Sequence, residues 1–312
     1  MAFASIDIGS NTFRLLIAEP DDGRYPWHTL AYTHRIVRLG EGLHHHGQLS
    51  DAGMQRGLSA LREFAGILAR HGVTADDTLA VATAAMREAA NGPEFRDRVL
   101  AETGIDIRII DGEQEAAWSL AGACAVLDED NRRDMLLFDI GGGSTEFIRA
   151  ANMRAIDAIS RKLGVVRLVE AHLHSDPPSP EDYQAMKRTA FEHLEAVRDF
   201  WNGEDSPSRL VGTAGTVTTL AATELDLFPY DADIINNHVM DRAAFKALRD
   251  RLLSLNHEQR QAIRTIEPGR ADLIVAGLAI VEAVLDYWAY EAMIVVDAGL
   301  LEGAWLKKAG LI

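Results

Sequence analysis

Two carboxylates flank a run of three glycines in the stretch Met135-Leu-Leu-Phe-Asp139-Ile-Gly141-Gly142-Gly143-Ser144-Thr145-Glu146-Phe-Ile148. Glycines in series let several backbone N–H groups converge on one anion, because no Cβ stands in the way. An acid before the turn and another just past it are useful beside an anion when a divalent cation lies between them and a phosphate. The chemistry indicated is phosphate binding with metal assistance. A buried hairpin whose Asp is satisfied locally is the plainer alternative.

The elements around these residues support the first option. Met135–Ile140 is a compact apolar run that reads as a buried strand, and Thr145–Ile148 resumes strand composition, so the glycines make a tight hairpin. The chain also opens on nearly the same string, Ala4-Ser-Ile-Asp7-Ile-Gly9-Ser10-Asn11-Thr12-Phe-Arg14-Leu. The two Asp-Ile-Gly strings lie about one domain length apart. A duplicated phosphate hairpin is similar to the actin-like, sugar-kinase and chaperone ATPase superfamily, in which two lobes each offer such a hairpin to a phosphate chain.

At 312 residues the chain can bury a large core and divide into two domains. The formal charge of −16 argues against nucleic acid as a partner through a broad basic face. It also opposes a polyanionic substrate at long range, although salt screens remote charge beyond about 8–10 Å. The most apolar run, Leu273–Leu285, is short for a membrane span and carries Glu282, so no membrane association is expected. The single Cys124 and the absence of a basic leader point to a cytoplasmic protein without a disulfide framework.

Other positions follow in chain order. Arg38 sits in Arg38-Leu-Gly-Glu-Gly, where loop glycines leave it free to face a ligand or to remain a solvated surface group. The run His44-His45-His46 reads as an exposed loop rather than a metal site, since adjacent residues share no face. Ser50 caps a helix whose apolar stripe is Met54, Leu58, Leu61, Ala65 and Leu68. Arg87 follows a short strand at the start of a helical segment, as a phosphate ligand or half of an ion pair. Glu113 and Glu115 open a helix, which the helix dipole alone would favour. Glu115, followed by small residues that allow close packing, is the better candidate for a general base. Residues 174–180 and 202–208 read as loops, with three prolines in the first. The turn Gly212-Thr213-Ala-Gly215-Thr216 either packs helix on strand or receives a nucleotide or distal phosphate.

Taken together these strings resemble the exopolyphosphatase and guanosine pentaphosphate phosphohydrolase family. The resemblance rests on seven motifs in order, including Asp7-Ile-Gly-Ser-Asn-Thr, Arg38-Leu-Gly-Glu-Gly-Leu, Gly112-Glu-Gln-Glu115-Ala, Asp139-Ile-Gly-Gly-Gly-Ser-Thr-Glu146 and Arg270-Ala-Asp-Leu-Ile-Val-Ala-Gly277. It implies an α/β fold of two actin-like (ribonuclease H-like) domains with the active site in the cleft between them. The expected division is 1–117, joined by the C-terminal helix 299–312, and 118–298. Glu115 would be the catalytic base, although Gln114 departs from the family's Gly-x-Glu-Glu-Ala pattern. Ser10, Asn11, Arg38, Arg87, Gly142, Gly143 and Ser144 would bind phosphate. Asp139 and Glu146 would hold Mg²⁺, with Mn²⁺ as the alternative metal. The implied activity is release of terminal phosphate from polyphosphate, the alternatives being guanosine pentaphosphate hydrolysis or non-catalytic sensing of guanosine tetra- or pentaphosphate. A kinase or ATPase of the same superfamily is the rival enzyme class. A homodimer is the expected assembly. Long members of that family carry a further C-terminal domain that is not expected here, which bears on processive grip of long polymers.

Overall fold

A computed structural model describes residues 1–202 and 207–312, so the middle of the expected loop at 202–208 lies outside the described residues. The chain forms two compact units, Met1–Ala125 with Ala298–Ile312, and Val126–Asp297. The expected break at 117/118 falls inside the continuous helix Gly112–Val126, and the units divide at 125/126 and 297/298. None of the described helices is long and apolar enough to cross a membrane.

The first unit is built on five strands, β1 (Phe3–Ile8), β2 (Thr12–Pro20), β3 (Trp27–Ile36), β4 (Thr78–Ala82) and β5 (Ile107–Ile109), in the spatial order β3-β2-β1-β4-β5. The antiparallel meander β1-β2-β3 is extended by β4 and β5, each parallel to β1. β1 is buried almost throughout because it is central, and Ile6, Ile8, Phe13 and Leu15 meet Leu58, Leu61 and Phe64 of the helix Asp51–Arg70. That helix starts where the sequence indicates. Ser50 Oγ accepts the Gly53 N–H at 3.1 Å. The three histidines form the single-turn helix Leu43–His46 rather than a loop, and they are exposed.

The second unit repeats this plan. Its strands are β6 (Asp134–Ile140), β7 (Thr145–Ala151), β8 (Arg154–Arg161), β9 (Arg209–Thr213), β10 (His238–Asp241) and β11 (Ala292–Val295), in the order β10-β11-β9-β6-β7-β8. β6-β7-β8 is again an antiparallel meander, β9 is parallel to β6, and the meander's neighbours carry the helices. The buried helix Leu273–Tyr287 packs with Pro180–Phe200 over this sheet, its apolar run explained by burial on nearly all sides. The α/β class and the two-domain organisation expected from the sequence are therefore present, and each Asp-Ile-Gly string ends the first strand of its meander.

One local flaw is testable. β7 and β8 are joined by the two-residue turn Asn152-Met153, and both residues have positive φ, 50° and 64°. This is the turn geometry that favours Asn-Gly, and a side chain at the second position costs roughly 1 kcal/mol. Met153 is exposed, so Met153→Gly is expected to raise the thermal midpoint by a few degrees in a melting experiment.

Candidate active site

Both hairpins have four-residue loops, and both are held from behind in the same way. In the second unit Ile140 pairs with Thr145, which leaves Gly141–Ser144 as the loop, closed by Gly141 N–H to Ser144 O at 2.9 Å. The carbonyl of Gly141 accepts from Val165 N–H (3.1 Å) and that of Gly142 from Val166 N–H (2.9 Å), both at the start of the helix Val165–His172. The Gly143 carbonyl accepts from Arg167 Nε at 2.7 Å. With the carbonyls occupied on that side, the N–H groups of Gly142, Gly143 and Ser144 find no acceptor among the described residues. Consecutive N–H groups left without acceptors in a turn are the donor set that a nest offers to an anion. Gly164 permits the arrangement, since a Cβ there would fall on the carbonyl of Gly142.

The first hairpin uses the same device. Gly9 N–H closes on Thr12 O at 3.2 Å, the Asn11 carbonyl accepts from both Val37 and Arg38 N–H at 2.8 Å, and Ser10 O accepts from Gly40 N–H at 2.8 Å. Bringing two consecutive N–H groups onto one carbonyl puts Arg38 at φ 51°, a conformation costly for a residue with a side chain. The N–H groups of Ser10 and Asn11 take no acceptor among the described residues. Asn11 Oδ1 is buried without a partner, which marks a polar atom that a bound ligand or water would satisfy.

The carboxylates lie in a row across the second sheet. Asp139 is paired with Glu146 on one side and Thr213 on the other, and Glu146 with Ser160. Asp139 and Glu146 are 8% and 2% exposed. Like charges directly opposite on a sheet repel, on the order of 3 kcal/mol at 5 Å and an effective dielectric near 20. Glu146 Oε1 accepts from Ser144 Oγ (2.9 Å) and Ser160 Oγ (2.7 Å), which fixes the carboxylate. Among the described residues no group of three or more His, Cys, Asp or Glu is placed to hold a metal. Two carboxylates beside a phosphate nest nevertheless suit Mg²⁺, which completes its oxygen shell from water and phosphate rather than from protein.

Glu115 is 5% exposed, whereas Glu113 is exposed. Asp111 begins the helix, its Oδ1 accepting Gln114 N–H at 2.8 Å and its carbonyl accepting Glu115 N–H at 3.0 Å. Arg87 Nη1 donates to Glu115 Oε2 at 3.0 Å and to the Ile110 carbonyl at 2.8 Å. The ion pair is thus a half-buried one that anchors the Glu115 carboxylate, and Arg87 acts on that residue directly.

The third glycine-rich turn divides into packing and polar parts. A Cβ at Gly212 would meet Met293, Phe138 and Val217, so this glycine is explained by the core. Gly215 lies against the guanidinium of Arg270, which is held by Glu267 at 2.9 Å. Thr216 packs on Gly277 and is buried, and Thr213 stands beside Asp139 at the end of β9. Residues that sequence reasoning passed over are Gly164, Arg167 and Ser160, which support the loop and Glu146, and Arg14. Arg14 Nε and Nη2 both donate to Asp7 Oδ2, at 3.0 and 2.7 Å. Burial opposes the Arg14 charge, yet Asp7, with Tyr32 and Glu302 nearby, raises the guanidinium pKa above its ordinary value. Aligning the two Asp-Ile-Gly strings seven residues onward would have exposed Arg14.

A duplicated α/β sheet, with a tight loop of acceptor-free N–H groups at each Asp-Ile-Gly hairpin, defines a protein of actin-like architecture. The family model described as the Ppx/GppA phosphatase family matches residues 16–311, and the chain belongs to that family. Exopolyphosphatase 2 of Mycobacterium tuberculosis is 33% identical, with 98% of each chain covered. A bifunctional 3-dehydroquinate synthase/phosphatase of Fusobacterium nucleatum is also 33% identical, over 97% of this chain and 46% of that protein, so this chain spans about half its length. A guanosine-5'-triphosphate,3'-diphosphate pyrophosphatase of Vibrio vulnificus is 32% identical over 96% of this chain and 58% of its own. Among solved structures, the Aquifex aeolicus Ppx/GppA family member superposes with a TM-score of 0.82 at 30% identity, covering 100% of this chain and 98% of that one. The protein is accordingly an enzyme of the phosphoanhydride hydrolase class.

Proposed function

We propose that the chain removes the terminal phosphate of inorganic polyphosphate with the help of a divalent cation, releasing orthophosphate and a polymer one unit shorter. The observation that carries this is the nest of Gly142, Gly143 and Ser144 N–H groups beside the buried pair Asp139 and Glu146. In this proposal the N–H groups of Gly142, Gly143 and Ser144 hold phosphate oxygens, and those of Ser10 and Asn11, with the fork of Arg38, offer a second phosphate-binding set. Glu115, anchored by Arg87, takes a proton from a water molecule as the water oxygen bonds to the terminal phosphorus. The bridging P–O bond breaks, and the electron pair leaves with the shortened polyphosphate. Asp139 and Glu146 would hold the divalent cation, which when bound would supply neutralisation of the charge on the transferred group. Mg²⁺ fits this donor set, with Mn²⁺ as a substitute.

The test is orthophosphate release from polyphosphates of defined length and from guanosine pentaphosphate. Release from polyphosphate is expected with Mg²⁺, at least 100-fold reduced by chelation and restored by added Mg²⁺. Faster turnover of guanosine pentaphosphate would transfer the assignment to the substrate class named for the Vibrio relative. Tight nucleotide binding with no turnover would replace catalysis by sensing.

A further inference from the structure

The two hairpins are one device with a single exchange of charge. Asp7 and Asp139 hold the same place, each the last residue but one of its strand, two residues before the first loop glycine. The residue opposite differs. Asp139 faces Glu146, whereas Asp7 faces Arg14. The rows across the two sheets correspond strand for strand: Thr213, Asp139, Glu146 and Ser160 in the second unit, and Val81, Asp7, Arg14 and His34 in the first.

The exchange alters what each row can bind. In the second unit two buried acids stand opposite each other, and the row is finished by hydroxyl-bearing side chains. In the first, the Asp7 side chain is 6% exposed and directs Oδ2 to two nitrogens of the Arg14 fork. A guanidinium is charged at every working pH and cannot ligate a metal. Its fixed positive charge offsets Asp7, so this row carries no net charge where the other hairpin presents two acids.

We infer that Arg14 is a built-in cation that takes, against Asp7, the position a divalent metal takes between Asp139 and Glu146, so that the chain carries one metal centre and its first hairpin is metal-free. The inference rests on the proposed metal role of Asp139 and Glu146. It commits the hydrolysis to a single metal. The first hairpin then offers no second metal position from which a two-metal clamp could be built, because Arg14 already offsets the Asp7 carboxylate there.

Mn²⁺ binding to the full chain, in the presence of inorganic phosphate and followed by electron paramagnetic resonance of the free ion, tests this without reference to turnover. One Mn²⁺ per chain is expected. Asp139→Asn is expected to weaken it by more than 10-fold, and Asp7→Asn to leave count and affinity within about twofold, as the first hairpin holds no metal. Arg14→Glu recreates the acid pair and is expected to add a second Mn²⁺. If the wild type binds two ions, one lost in Asp139→Asn and one in Asp7→Asn, the inference is overturned while the acid pair stands. A folded Arg14→Glu that stays at one ion overturns it as well. Full binding by Asp139→Asn, or none by the wild type, overturns the acid-pair assignment and the inference with it. Should Arg14→Glu not fold, the wild-type count and Asp7→Asn decide alone.

Discussion

Glu115→Gln is expected to reduce turnover of polyphosphate by about 10²- to 10⁴-fold, the range of a lost general base, with KM little changed. The substitution is nearly isosteric. The amide oxygen can still accept from Arg87 Nη1, now 3.0 Å from Oε2, and the Asp111 cap on the helix is untouched. What disappears is the capacity to take a proton from water. Because Glu115 is 5% exposed and lies against Arg87, a neutral side chain there also leaves the guanidinium with a weaker partner. A melting curve on the same preparation separates that structural cost from the chemical one. Glu113→Gln is the matched control: it is exposed in the same helical turn and should leave turnover within twofold of wild type. Orthophosphate release under saturating substrate is the measurement, and a Glu115→Gln enzyme working at the wild-type rate would remove the base from the mechanism.

How much of this was visible in the sequence depends on how local each signal is. Asp139, Gly141–Gly143 and Glu146 were legible because strand, turn and strand are contiguous, and a hairpin brings neighbours in sequence together. Ser50 was legible as a cap for the same reason, the Oγ–N–H bond spanning three residues. Glu115 could be preferred over Glu113 from the small residues that follow it, but its anchor Arg87 could not, since that bond joins residues on two separate helices. Gly164 gave no signal. Its contact with Gly142 exists only after β8 returns the chain beneath the loop. Gly212 and Gly215 were ambiguous in sequence, because close packing and ligand approach both call for glycine. Their missing Cβ atoms face different things, the core for Gly212 and Arg270 for Gly215. Arg14 was a different failure: its place in the duplicated pattern was available, but comparing strings reveals likeness and the informative feature was the one unlike residue.

Gly164→Ala is expected to lower kcat/KM by about 100-fold although residue 164 touches no substrate, the cost associated with roughly 1 Å of misplacement in a catalytic site. The added methyl would overlap the Gly142 carbonyl and the Gly143 carbonyl carbon, which are backbone atoms and cannot rotate away. Either the loop moves outward or the helix Val165–His172 moves back. In both cases the bonds from Val165 and Val166 N–H to the Gly141 and Gly142 carbonyls lengthen, and the N–H groups of the nest are turned. Overpacking of this kind also costs about 1–3 kcal/mol of stability, so the melting temperature should fall as well. Gly66→Ala provides the contrast. It lies in the helix Asp51–Arg70, where a methyl meets nothing closer than an Arg70 nitrogen at 3.7 Å, and alanine there should stabilise slightly with no effect on kcat/KM. The decisive comparison is made well below both melting temperatures. A folded Gly164→Ala enzyme with undiminished kcat/KM would mean that the loop's N–H groups do not hold the phosphate. A selective loss, with Mn²⁺ binding retained by Asp139 and Glu146, would assign phosphate to the nest and the cation to the acids as separable parts of one site.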